Sequence, residues 1–454
     1  MSAIARIEQF RSSTTAAFIV VFVAFLVDAV VYGVVIPILP KFVTQKMGIE
    51  EKYVGLLFAC YSAGLLATTP VVGVLSDRYR NRQIPMLVGL LALLLTTLAF
   101  GYGETFGVLV AARIGQGIAG GISWTRLDVA IVHIPRQLCM FADIYPPSKL
   151  GIAMSNLLAA NTIGVTVGPP IGGILYDNLG QHAPFIFCAG LAGIDFLGRL
   201  MLKTKVADAA TDSSTGDETS RDAEATAPKR KVSMISLLKN PQVLCTCGSV
   251  LFGTIAFTGI EPTVPIYAAQ QFGFNPTNIG LLFLAIVLPN IVASYFAGWI
   301  SDRYGRKNVQ AAGMLVVSLS CVFVGLAPTL SLFIVAFALM GIGVGFNVSP
   351  TLPEMAEFVE ESGGGAYAQS YALFNMSYAS GMLFGPIIGS ALVDRWGFAA
   401  QMYFLAIALF LYTPILVYFH LKRVKAGHPT SAAAPVQEEP VDHSVPKAKQ
   451  DILF

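Results

Sequence analysis

The sequence predicts an all-α membrane protein, with twelve transmembrane helices arranged as two pseudo-symmetric six-helix bundles. Three observations carry that prediction. The first is composition: 55% of the 454 residues are apolar and 12% are charged. Soluble domains carry about 25% charge, so this chain cannot cover a water-exposed surface and most of its surface faces lipid. The second is twelve apolar runs, each near the ~20 residues that cross a hydrocarbon core as a helix. The third is a self-match. Residues 73–82 read GVLSDRYRNR and residues 298–307 read GWISDRYGRK, an offset of 298 − 73 = 225 residues, about half the chain.

The predicted spans cover residues 17–40, 53–75, 84–103, 105–125, 150–176, 183–202, 243–269, 278–300, 309–327, 330–353, 367–393 and 398–420. Spans 9 and 10 are separated only by Pro328 and Thr329, which forces a tight turn. Orientation follows from lysine and arginine, which concentrate in cytoplasmic loops. Arg78, Arg80 and Arg82 follow span 2, and Lys203, Lys205, Lys229, Arg230 and Lys231 follow span 6. Arg303, Arg306 and Lys307 follow span 8, and Lys422, Arg423 and Lys425 follow span 12. With alternating spans these segments share one side, so both termini are expected in the cytoplasm. The organisation reads as a cytoplasmic N-terminus (1–16), a first bundle (17–203), a polar linker (204–242), a second bundle (243–421) and a polar tail (422–454). The linker and tail have the composition of disordered segments, and Ser236 to Pro241 is expected to start a short surface helix.

Several function classes are disfavoured. A net charge of +2 suggests no nucleic-acid partner. The six cysteines lie mostly inside apolar runs, as small core hydrophobes do, and Cys245 and Cys247 lack the spacing of a metal site. No cofactor or metal is expected. The run after Arg11 is too long for a signal peptide. No intramembrane Ser/His/Asp set points to an enzyme.

The repeat is not uniform. GVTVGPPIGG (164–173) matches GMLFGPIIGS (381–390) at an offset of 381 − 164 = 217, so 225 − 217 = 8 residues are surplus in the first half. Gly117 and Gly121 match Gly341 and Gly345 at 224, which puts the surplus after span 4 has begun. The segment 125–141, with Arg126, Asp128, His133, Pro135 and Arg136, is the suspect. The surplus is placed at the cytoplasmic end of span 4 and in the following loop, as either a loop insertion or a gene-model or splicing artefact that impairs span 4.

Ionisable groups at membrane depth are expensive and face cavities. Asp28 lies in mid-span 1, Arg113 in span 4, Asp195 in span 6 and Glu261 in the outer half of span 7. Asp28 and Glu261 are candidates for proton exchange or substrate binding. Arg113 needs a nearby acid, and Asp28 is a reasonable partner. Asp195 is expected to pair with Arg199 at i+4. Helix breakers cluster at Pro37 and Pro40, at Pro262 and Pro265, and through Gly164, Gly168, Pro169, Pro170, Gly172 and Gly173. Their recurrence in both halves suggests a hinge or gate, and duplicated halves around a midplane site are the usual build of a secondary transporter.

These residues resemble the major facilitator superfamily over about residues 15–422. Gly298, Asp302, Arg303, Gly305, Arg306 and Lys307 meet its loop signature G-x-x-x-D-R-x-G-R-K/R in full. The first copy, Gly73, Asp77, Arg78 and Arg82, departs at Arg80 and Asn81. The resemblance implies a gating role for these loops, with Asp77 as the latching aspartate. Arg113, Gln116 and Gly117 resemble the span 4 motif linked to proton coupling. Gly164, Gly168, Pro169, Gly172 and Gly173 resemble the span 5 motif of drug:proton antiporters. Asp28 with Gly33, Pro37 and Pro40, and GIEPTVPIY (259–267), look like the vesicular amine transporter and fungal multidrug-efflux branch. Vesicular amine carriers have further acids in spans 10 and 11, where this chain offers Asn347 and Asn375. A strictly cationic substrate is therefore less assured.

The resemblance implies proton-coupled antiport of a small organic molecule (drug, toxin or amine) by alternating access, with protons and the bilayer as further partners and a monomer as the working unit. Tyr32, Phe283, Asn290, Asn347 and Asn375 are candidate cavity-lining residues. An uncoupled facilitator and a transporter-like nutrient sensor remain alternatives. Plasma membrane and vacuolar or vesicular membrane both fit.

Overall fold

The computed structural model describes residues 14–78, 83–132, 147–201, 237, 239–361 and 367–425, and among these the backbone alone at stretches including 72–78, 83–86, 123–132 and 147–159. The described residues form helices joined by short turns, in twelve successive rods. Span 1 is Thr14–Val35, continued through a turn by Leu39–Lys41 and a π-helical turn Phe42–Lys46. Spans 2 to 6 are Lys52–Arg78, Gln83–Tyr102, Phe106–Val132, Pro147–Leu179 and Ala183–Met201. Span 7 is broken into Pro241–Gly259 and Val264–Phe272, and spans 8 and 9 are Pro276–Tyr304 and Arg306–Leu326. Span 10 breaks at Ser349–Pro350 into Leu330–Val348 and Thr351–Glu361, and spans 11 and 12 are Tyr367–Trp396 and Phe398–Lys425. Among the described residues, seven helical stretches are long and apolar enough to cross a membrane, and three shorter ones are apolar. The outward faces carry Leu, Ile, Phe and Val, as at Leu197, Val292, Phe296 and Leu411, as expected where lipid replaces water.

Spans 1 and 7 break where their prolines sit. Proline removes an N–H and clashes with the preceding turn, and both breaks fall at Pro37 and Pro262. The turn between spans 8 and 9 is equally sharp. Gly305 has φ +88°, a conformation that side chains disfavour, which accounts for the glycine of the second loop signature.

Glycines set the distances between rods. Gly164, Gly168 and Gly172, one helical face at i, i+4 and i+8, lie against span 1. A Cβ at Gly168 would come within 2.9 Å of Gly33 Cα, and one at Gly172 would overlap the Val34 carbonyl. The second half repeats this with Gly381, Gly385 and Gly389 against Thr254, Thr258 and Gly259 of span 7. The neighbouring face joins the halves. A Cβ at Gly280 (span 8) would overlap the Pro169 carbonyl (span 5), and one at Gly55 (span 2) would overlap the Pro386 carbonyl (span 11). Gly55 and Gly280 differ by 225, and Pro169 and Pro386 by 217, so the two contacts are images of each other under the repeat. This is the pseudo-twofold in atomic detail.

These contacts lie at the end opposite the basic loops. Polar bonds reinforce them there. The Asp177 carboxylate (span 5) accepts from the Thr277 N–H at 2.9 Å and the Thr277 hydroxyl at 2.7 Å. It thereby caps the N-terminus of span 8, where an anion is favoured. Gln270 donates to Glu51 at 3.0 Å, again across the halves.

Span 4 continues helically to Val132, so 125–132 of the surplus extends the helix; 133–146 lie outside the described residues. The linker residues 202–236 and the tail 426–454 also lie outside them. Leu237 is helical and packs against Val243, Cys247, Met355, Phe358 and Leu373, while residues 236 and 238 lie outside the described residues.

Candidate substrate and proton site

Between the two halves a small set of polar side chains meets among aromatic rings. Glu261 sits in the span 7 break, 1% exposed. Its side chain is buried within the protein although it lies in the outer half of the span. The Tyr32 hydroxyl of span 1 donates to Glu261 Oε2 at 2.5 Å, a bond between residues 229 apart. Tyr32 in turn packs against Tyr61 (centroids 5.2 Å apart) and edge-on to Phe58 at 6.4 Å. Tyr61 and Leu65 of span 2 form an apolar cluster with Ala379 and Met382 of span 11, bordered by Tyr32 and Tyr378.

Arg113 is 1% exposed. Its guanidinium donates to Gln116 Oε1 at 3.3 Å and lies over the rings of Phe100 (4.7 Å) and Phe58 (5.6 Å). Gln116 donates onward to Thr97 at 3.0 Å. Two guanidinium nitrogens, Nε and Nη2, have no hydrogen-bond partner among the described residues. The acid in its electrostatic reach is Glu261, beyond Tyr32 and Tyr61. Asp28 was expected in that role and is not there; it interacts instead with Arg199 and Asp195. Asp28 and Tyr32, at i and i+4, share one helix face, and Asp28 also lies in the field of Tyr61, which stands between it and Arg113 electrostatically. Asp28 remains 7% exposed. Asp195 and Arg199 pair as expected, at 3.2 Å and buried.

The remaining candidates are dispersed. Asn347 is buried and donates to Ser249 at 3.0 Å, tying span 10 to span 7. Asn290 donates to the Gly341 carbonyl at 3.3 Å. Phe283 lies in the main apolar core and is 2% exposed. Asn375 is partly buried on span 11. Phe58, Tyr61 and Tyr378 were missed by sequence reading, because an aromatic residue in an apolar span has no pattern that separates cavity wall from packing.

The second loop signature forms a charge network at the opposite end. Arg306 pairs with Asp302 at 3.7 Å and with Glu357 at 2.9 Å. Lys307 pairs with Glu354 at 3.2 Å, both buried, and lies over the Phe358 and Phe419 rings. Gln310 donates to the second Glu354 oxygen at 2.7 Å. Arg303 is exposed, and a Cβ on Gly298 would meet open space. In the first copy Gly73, Asp77 and Arg78 end span 2 with undescribed side chains, and Arg82 is outside the described residues. Glu354 and Glu357 escaped sequence reading because a proline break precedes them and they lie beyond the apolar run. Breaking a buried pair on one side leaves an uncompensated charge, at a cost of about 3–5 kcal/mol. Lys307→Met is therefore expected to lower the thermal unfolding temperature of the purified protein clearly, and Lys307→Met/Glu354→Leu to restore part of it. A double variant no better than the single would show that the pair contributes nothing as a unit.

The comparisons with known proteins agree with this architecture. The Major Facilitator Superfamily model matches residues 18–275 and 247–450. An MFS-type transporter of Schizosaccharomyces pombe is 24% identical over 86% of this chain and 92% of its own. The human chromaffin granule amine transporter is 29% identical over 81% of this chain, which spans 65% of that protein's length. Among solved structures, a POT family transporter crystallised with 5-aminolevulinic acid superposes with a TM-score of 0.70 at 14% identity, covering 89% of this chain and 96% of that one. With its matched halves, broken first and seventh spans and interhelical glycine ridges, the chain belongs to the Major Facilitator Superfamily of membrane transporters.

Proposed function

We propose that this protein is a proton-coupled antiporter that exchanges protons for a small organic molecule (a drug, toxin or amine) by alternating access. The observation that carries the reading is the Tyr32–Glu261 bond, a charge-assisted contact from one half to an acid of the other. A proton arriving on Glu261 converts its carboxylate from an acceptor-only group to a neutral one. The Tyr32 contact then weakens and the two halves are released. Arg113, with two unpartnered nitrogens nearby, is placed to compensate the acid before the proton arrives. Asp28, in the field of Arg199 and Asp195, is a second exchangeable acid within the first half.

With the basic loops in the cytoplasm, the sealed end made by Gly55, Gly280, Asp177 and Thr277 is the non-cytoplasmic face. The driving force is adequate, since one pH unit supplies about 1.4 kcal/mol and 100 mV about 2.3 kcal/mol per charge. Similarity to vesicular amine transporters supports an amine as substrate, while neutral Asn347 and Asn375 widen the class to weakly charged compounds.

A growth screen of organic toxins in a pump-deficient host identifies a transported compound, and vesicles with an imposed pH gradient then test coupling. Asp28→Asn is expected to reduce gradient-driven accumulation about tenfold or more. Accumulation unchanged by Asp28→Asn removes that acid from the mechanism. A wild-type flux indifferent to pH and potential identifies an uncoupled facilitator instead.

A further inference from the structure

We propose that Gln401 of span 12 is the positioning residue that holds the span 7 break and so aims Glu261 at Tyr32. In an unbroken helix the Gly259 carbonyl accepts from the N–H of residue 263. Here the Thr263 N–H bonds to Ile260 O at 3.2 Å instead, so the Gly259 carbonyl loses its backbone partner. At membrane depth no water replaces it, and an unsatisfied carbonyl is expensive. Gln401 Nε2 donates to it at 2.7 Å, and the Thr263 hydroxyl adds a second bond at 3.2 Å. Gln401 is fully buried (0% exposed), and its Oε1 has no hydrogen-bond partner among the described residues. The amide is thus kept in an apolar interior for one donated bond. Its passage is cleared by glycine: a Cβ at Gly389 would lie 2.7 Å from Gln401 Nε2 and would overlap the Gly259 carbonyl.

The arrangement belongs to the second half alone. At the repeat offsets Gln401 corresponds to Pro184 (401 − 217) and Glu261 to Ile36 (261 − 225). The half that lacks the acid at its break also lacks the amide that braces the break. A residue needed only for packing would be expected to recur in both halves, as the glycine ridges do. The proposal rests on reading Glu261 as the proton-carrying group.

The test uses the full chain in lipid nanodiscs, with the proton itself as the only ligand. The protonated-carboxyl stretch of Glu261 is followed by infrared spectroscopy against pH, and assigned as the band lost in Glu261→Gln. Gln401→Met keeps the shape and removes the donor. It is expected to move the Glu261 midpoint by about one pH unit and to leave the Asp28 band, assigned with Asp28→Asn, in place. An unmoved Glu261 midpoint overturns the proposal, as does an equal movement of both bands. If Gln401→Met does not fold, Thr263→Val removes the weaker donor to the same carbonyl. It is expected to move the same band by less, and no movement there is equally decisive. The two readings fail separately. If Glu261→Gln retains gradient-driven transport while Gln401→Met moves the Glu261 band, the antiport assignment to Glu261 falls and the positioning role stands.

Discussion

Glu261→Gln is expected to lose proton-driven accumulation by roughly 10- to 100-fold while leaving substrate exchange across the membrane measurable. The variant is nearly isosteric and keeps an oxygen that can accept from the Tyr32 hydroxyl. What it removes is the charge, and with it the strength of a hydrogen bond that closes the halves on each other. Bonds to charged groups contribute about 1.5–3 kcal/mol, which sets the size of the effect at 1.36 kcal/mol per tenfold. A side chain that cannot bind and release a proton cannot make the rocking of the halves depend on the gradient. It can still allow rocking, so counterflow of labelled substrate continues. The measurement is paired: gradient-driven uptake and counterflow in the same proteoliposomes. Normal uptake under a pH gradient would sink the assignment. Loss of both activities would assign Glu261 to substrate binding rather than to coupling.

Gly280→Leu is expected to prevent closure of the non-cytoplasmic face and to reduce transport more than tenfold. The added side chain would begin where the Pro169 carbonyl lies, with Pro170 Cα 3.0 Å away. Neither is the movable end of a flexible side chain, so spans 5 and 8 must separate. Overpacking of this kind typically costs about 1–3 kcal/mol, and here it acts on one conformation of the transport cycle. Each bundle is packed within itself by other glycines, so folding is expected to survive. The direct readout is Ile279→Cys, buried at 3% exposure in the sealed face. It is expected to resist a membrane-impermeant maleimide in the parent and to react in the Gly280→Leu background. Gly190→Leu, where a Cβ meets nothing within 4 Å, is the matched control and is expected to transport normally. Protection of Ile279→Cys in both backgrounds would show that the Gly280 contact does not seal the face.

Much of this architecture is legible in the chain. Duplication, span count and the glycine faces all follow from local regularities: apolar length against bilayer thickness, and small residues at helical spacing. Even the cross-half contacts are foreshadowed, since Gly55 with Pro386 and Gly280 with Pro169 obey the same two offsets that relate the loop signatures and the span 5 and 11 motifs.

Partnership was not legible. Asp28 and Arg113 are both rare charges in apolar spans, and sequence offers each as the other's neighbour. The packing of whole spans gives Asp28 to Arg199 and Asp195 of span 6, and gives Arg113 to Phe58, Phe100 and Gln116 with Glu261 in its field. Glu261 is legible as a rare acid in the outer half of span 7, but its bond to Tyr32 of the other half is not. Glu354, Glu357 and Gln401 carry no motif, because their partners lie 44 residues or more away at Gln310 and 142 away at Gly259. By itself the sequence determined what each segment buries and where each helix must stop, since hydrophobic length, glycine and proline act within a few residues. Only the tertiary structure decided which buried charge meets which donor, because that depends on the rotation and separation of whole helices, to which composition and spacing are blind.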